Sequence, residues 1–196
     1  MRALIFTAII QFFCFVLPAN AEEDIATKVL NASSLEELRG APEHSATIDQ
    51  LNFIWSIPAK LVSEIVLNPS NNKAWEALHK FSHFTDGGLI SMYDDACFDA
   101  IKKTPLIYYS RYVYSGDDEV LDRVNDAMHA YLINDGNNIH SLEAGNRKYI
   151  ETMITLIKQQ KSSDANLSKR HIDFLSLTEL KYNLRKKEFN EYFGDK

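Results

Sequence analysis

The apolar residues of this sequence recur at intervals of three and four along most of the chain. Side chains at this spacing share one face of an α-helix, because the helix has about 3.6 residues per turn. Strand-like alternation of apolar and polar residues is not sustained at any comparable length. The pattern therefore predicts an all-α fold, either a compact multi-helix bundle or an irregular α-hairpin stack. The clearest apolar stripe consists of Val120, Leu121, Val124, Met128, Tyr131 and Leu132.

Proline and capping residues predict where several helices begin and end. Pro58 interrupts a long apolar segment, and proline has no N–H for the helical hydrogen-bond ladder. We therefore expect one helix to end before Pro58 and a second to begin there.

The C-terminal region is predicted to hold a loop and two helices. Residues 161–167 are mostly polar and are expected to form a flexible loop. Ser176-x-x-Glu179 matches the capping box that opens helices. Residues 168–193 should therefore contain two basic helices.

One predicted helix, Leu106–Tyr114, is apolar or aromatic nearly all round. A helix without a polar face is usually buried, so we place it at the centre of the fold. Arg111 then needs a partner, because an isolated buried charge is costly. We expect a structural ion pair with a carboxylate of the preceding helix, namely Asp94, Asp95 or Asp99. An arginine that anchors a ligand is the alternative.

The N-terminus has the three parts of a cleavable secretory signal peptide, over residues 1–21. Arg2 supplies the positive charge, residues 4–17 are almost wholly apolar, and Ala19-Asn20-Ala21 presents small residues to a signal peptidase. The apolar run of about 14 residues is short of the ~20 that span a bilayer. We predict export, to the periplasm of a Gram-negative source or otherwise by secretion, with no transmembrane segment after cleavage.

The mature chain predicted by this cleavage, residues 22–196, is long enough for a single helical domain with its own core. Removal of the signal leaves Cys97 as its only cysteine. No intramolecular disulfide can then form, although export implies an oxidising compartment. We expect Cys97 to be a small buried residue.

Charge is unevenly distributed along the mature chain. Residues 22–157 carry 21 Asp and Glu against 11 Lys and Arg, whereas residues 158–196 carry 6 against 9. An acidic body repels the phosphates of nucleic acid, so nucleic acid is not an expected partner. The basic C-terminal region either complements the acidic body or is solvated.

Two groups of polar residues could carry chemistry. His79 and His83 lie four residues apart on one helix face with Glu76, a set that could bind a metal ion. The alternative is a solvated polar face, because no His-Glu-x-x-His motif or distant ligand accompanies them. Asp122, Asp126 and His129 show the same spacing and are interpreted as a solvated face.

No motif identifies a nucleophile, an acid/base pair or a phosphate loop, and no cofactor is predicted. Three classes of function are consistent with the sequence. The favoured one is an exported, non-catalytic protein-binding module, such as an inhibitor or immunity-type protein, with a protein partner of unknown identity. The alternatives are a metal-dependent protein or enzyme that uses the His79/His83 helix face, and a structural factor of the cell envelope.

Overall fold

The computed structural model describes residues 24–85, 87–132 and 139–193, and the predicted signal peptide lies outside them. These residues form nine α-helices and two single-turn 3-10 helices, Glu43–Ser45 and Ala130–Leu132, without a strand among them. The prediction of an all-α fold is thus confirmed. The α-helices are α1 (Ile25–Asn31), α2 (Leu35–Arg39), α3 (Ile48–Leu67), α4 (Asn72–Ser82), α5 (Gly88–Lys103), α6 (Ile107–Ser115), α7 (Val120–His129), α8 (Ile139–Gln159) and α9 (Ala165–Phe193).

Side-chain caps begin the first four helices. The carboxylate of Asp24 accepts a hydrogen bond from the Thr27 N–H, and the Ser34 hydroxyl accepts one from the Glu37 N–H. At α3, Thr47 and Gln50 form a reciprocal capping box, and Asn71 caps α4. Such caps satisfy backbone N–H groups that have no partner within the helix.

The prediction that Pro58 separates two helices is wrong, because α3 runs through it without interruption. A proline inside a helix removes one hydrogen bond and costs about 3 kcal/mol. Here the apolar face continues on both sides of the proline, and the Pro58 ring is itself buried with Ile57 and Leu61. Packing of this face offsets the lost hydrogen bond, so tertiary structure overrides the local signal.

The prediction of two helices within residues 168–193 is also wrong. A single helix of 29 residues, α9, covers this region, and Ser176 lies inside it. Glu179 does not close a capping box, because its carboxylate pairs with Lys158 of α8 at 2.6 Å. The predicted loop at residues 161–167 is shorter in the structure, since α9 begins at Ala165.

The core is built around α5, which packs against both α3 and α7. Helices α1 and α4 cover α3, and α9 packs on α6, α7 and α8. Helix α6 buries five of its nine residues but packs mainly on α7 and α9, so the prediction that it lies at the centre of the fold is wrong and α5 holds that place. The largest fully buried side chains include Tyr108, Tyr131, Phe81, Phe174, Ile54, Leu61, Ile101 and Met128. Among the described residues, no helix is both long enough and apolar enough to cross a membrane.

Candidate functional site

The histidine face of α4 is the first predicted site. The Nε2 atoms of His79 and His83 lie 3.3 Å apart, and His79 Nε2 lies 3.2 Å from Glu119 Oε1 near the start of α7. The carboxylate beside His79 is therefore that of Glu119, while Glu76 is exposed to solvent. Within residues 24–85, 87–132 and 139–193, no group of three or more His, Cys, Asp or Glu side chains is arranged to hold a metal ion.

Arg111 forms an ion pair, but not with the residues that the sequence suggested. Its Nε donates to Asp117 Oδ2 at 2.8 Å, and its Nη1 donates to Asn72 Oδ1 at 2.6 Å. The expectation of Asp94, Asp95 or Asp99 is thereby corrected. The physical reason is the left-handed turn at Gly116, with φ of 74°, which brings Asp117 back beside the end of α6.

A buried arginine lies between α5 and α7. Arg123 is 5% exposed, and its Nη1 donates to the hydroxyl of Tyr93, whose ring also lies under the guanidinium. Arg123 Nε lies 3.8 Å from Asp126 Oδ2, which is an ion pair without a hydrogen bond. His79 Nδ1 lies 3.4 Å from Arg123 Nη2 and connects α4 to the same group.

A histidine–aspartate pair lies next to this arginine. His129 Nδ1 is 2.6 Å from Asp94 Oδ2, and Asp94 is buried whereas the His129 side chain is 39% exposed. Burial raises the pKa of the Asp94 carboxyl above its ordinary value, and the hydrogen bond from His129 opposes this shift. A buried carboxylate that orients a solvent-facing imidazole is the arrangement of a general base.

Carboxylates accumulate on the solvent side of these two helices. We call Asp95 and Asp99 of α5 and Asp122 and Asp126 of α7 the α5–α7 acidic surface; the charge of Asp99 acts on Asp95, and the charges of Asp94 and Asp122 act on Asp126. Burial raises the pKa of Asp126 to about 6; the charge of Arg123 opposes this shift, and the charges of Asp94 and Asp122 add to it. Burial and the charge of Asp99 likewise raise the pKa of Asp95. Lys102 pairs with Asp99 and Arg123 lies beside Asp126, so the negative charge of this surface is partly compensated.

This cluster of ionisable groups has little space beside it. The adjoining cavity, next to Arg123 and His79, measures about 10 Å³, which is room for one water molecule at most. Concavities of about 490 and 420 Å³ lie elsewhere, around Phe53 of α3. These two larger cavities thus lie away from the solvent-facing base.

Cys97 is fully buried in α5, as the sequence predicts. Burial raises the pKa of its thiol to about 12. A thiol with this pKa stays protonated at neutral pH, and the thiolate is the reactive form. Cys97 therefore packs in the core and does not act as a nucleophile.

Comparison with known proteins adds no further assignment. No protein-family model matches the chain, and no curated protein or solved structure is significantly similar to it.

The sequence did not predict the buried contact of Arg123 with Tyr93, and two residues near it were interpreted wrongly. Asp126 and His129, interpreted as solvated, contact Arg123 and Asp94 respectively. Asp122 is exposed, as expected. One signal was present in the sequence: Arg123 borders the apolar stripe of α7, where a charge indicates a buried pairing.

Proposed function

We propose that this chain is an exported, non-catalytic protein-binding module whose α5–α7 acidic surface receives a basic segment of its partner. The observation that carries the proposal is the set of raised carboxyl pKa values on this surface. Burial is the main cause of these shifts and the charges of neighbouring carboxylates add to it, so ionising these groups costs free energy in the free protein. An inhibitor or immunity-type protein would use such a surface.

A basic partner would relieve this cost, because its cations would supply the attraction that the surface lacks. Opposite charge also accelerates association, since it steers the partner during diffusional encounter. Met92, which is 38% exposed, lies on the same side of α5 as Asp95 and Asp99 and adds apolar contact area. The surface thus combines charge with a flexible apolar side chain, as protein-binding surfaces do.

The other classes of function have less support. An enzyme would need its base beside a substrate cavity, and the His129–Asp94 pair adjoins none of the measured cavities. The metal-dependent alternative would need a third ligand beside His79 and His83, and the described residues offer no such group of three. No contact favours an envelope structural factor.

Neutralising the acidic surface should abolish partner binding. We expect the triple variant Asp95→Asn, Asp99→Asn and Asp122→Asn to lose a protein that the tagged wild type retains from extracts of its own compartment. Binding by the wild type should also weaken as salt rises past ~0.15 M, where charges are screened beyond about 8 Å. Affinity capture followed by mass spectrometry measures both effects.

The matched control neutralises three exposed carboxylates elsewhere, Glu36→Gln, Glu43→Gln and Glu76→Gln, and gives the same change in net charge. This control should retain the partner. Equal retention by both triple variants, or binding that is insensitive to salt, would contradict the proposal.

Export is a separate part of the proposal. The chain isolated from the exported fraction should begin at Glu22, because signal peptidase cuts after small residues such as Ala21. Intact-mass measurement and N-terminal sequencing of that fraction test this expectation. A chain that retains Met1, or that accumulates only inside the cell, would contradict it.

A further inference from the structure

Helix α9 carries a row of leucines that remain about half exposed among the described residues. Leu177, Leu180 and Leu184 are 38%, 54% and 47% exposed, respectively. Their spacing of three and four residues places them on one face of the helix. The buried face of α9 is a different one and carries Phe174 and Tyr182. Exposed apolar rows of this kind are typical of interaction surfaces.

A pair of opposite charges lies on the same face at each end of the leucine row. Lys169 Nζ is 2.9 Å from Asp173 Oδ2, and Lys187 Nζ is 3.6 Å from Glu191 Oε1. At about 100° per residue, these four residues and the three leucines fall within an arc of about 80°. We call these seven residues the α9 face.

The charges of the α9 face are complementary to those of a second copy of the face that runs in the opposite direction. Asp173 and Lys187 each lie seven residues from Leu180, which is about 10 Å along the axis at 1.5 Å per residue. Lys169 and Glu191 each lie eleven residues from Leu180, or about 16 Å. Residues at equal distances from Leu180 on its two sides therefore carry opposite charges.

We propose that the α9 face binds the α9 face of a second copy of this chain, with the two helices antiparallel and a two-fold axis near Leu180. Each Asp173 then lies opposite a Lys187, each Lys169 opposite a Glu191, and each Leu177 opposite a Leu184. In a parallel pair every charge would face its own copy, which is repulsive. A two-fold contact needs this self-complementarity, because the same patch serves both subunits.

Lys181 lies at the margin of the face near the axis, where two copies bring two lysines together. Its long aliphatic stem can cover the leucines while the ammonium group stays in water. The inferred contact lies on α9 and goes beyond the proposed function, whose surface lies on α5 and α7. Self-association and partner binding are therefore measured with separate variants.

Analytical ultracentrifugation of the purified exported chain tests the proposal over about 1 μM to 1 mM. We expect a reversible monomer–dimer equilibrium in this range. Leu180→Glu should abolish the dimer, because it replaces the apolar contact at the axis with charged groups that would have to lose their water. Circular dichroism should show an unchanged fold, since Leu180 is 54% exposed in the monomer.

A charge exchange makes the test specific for antiparallel pairing. Asp173→Lys alone and Lys187→Asp alone should each weaken the dimer at least about tenfold, because like charges then face each other. The double variant should restore dimerisation, since each charged pair is re-formed with reversed polarity. The matched control is Glu76→Lys, a charge reversal at an exposed site on α4, and it should leave the equilibrium unchanged.

Three results would overturn the inference. A chain that stays monomeric up to about 1 mM has no such contact. A dimer that persists in Leu180→Glu, or that the double exchange fails to restore, uses another surface or another alignment. If Leu180→Glu lowers the melting temperature of the monomer, the face packs against another segment of the chain. If Leu180→Glu removes binding to anionic lipid vesicles, the face binds a membrane.

Discussion

Replacing Arg123 with alanine should lower the free energy of unfolding by about 3–5 kcal/mol at pH 7, as is typical when one member of a buried charge pair is removed. The guanidinium is 5% exposed and is the donor to the Tyr93 hydroxyl. Its removal leaves Asp126 without its nearest cation and also leaves a cavity between α5 and α7. Urea denaturation followed by circular dichroism measures the loss.

Two comparisons show whether charge causes this loss. Lys103→Ala removes an exposed cation from α5 and should change stability by less than about 0.5 kcal/mol. In an Asp126→Asn background, Arg123→Ala should cost less than in the wild type, because no carboxylate is left unpaired. Equal costs in the two backgrounds would show that only packing was lost.

Local sequence patterns predicted the helical content of this protein but not every boundary. Apolar periodicity identified α7. Pro58 and Ser176 each predicted a helix boundary where there is none. In both cases the helix continues because its buried face extends past the residue. Whether a helix continues past such a residue depends on what packs against it, and that information is not local.

The candidate site was harder to predict, because its residues meet only through helix packing. Asp94 and His129 are on different helices and are 35 residues apart in sequence. Helical periodicity predicts on which face of its own helix a residue lies, but not which other helix packs against that face. The same limit explains Arg111, whose partner Asp117 is separated from it by a turn and not by a helix contact.

Stability should decrease by about 2 kcal/mol between pH 4.5 and pH 7 through the ionisation of Asp126 alone. Its pKa is about 6 in the folded protein against an ordinary value of 3.8, so the folded state holds the proton more tightly. The resulting stabilisation is complete below the unfolded-state pKa and is lost as the pH rises through about 6. The raised pKa of Asp94 acts in the same direction.

Asp126→Asn isolates this contribution, because asparagine resembles the protonated carboxyl and does not ionise. Because the substitution also removes the carboxylate beside Arg123 at every pH, the pH dependence is what is compared: the stability of the variant relative to the wild type should rise by about 2 kcal/mol from pH 4.5 to pH 7. Urea denaturation of both proteins at a series of pH values gives the difference directly, and ionisations common to both proteins cancel. Parallel pH profiles would show that Asp126 ionises as it does in the unfolded chain. Such a result would also remove the main support for an under-compensated acidic surface, so this measurement tests the physical basis of the proposed function without a partner.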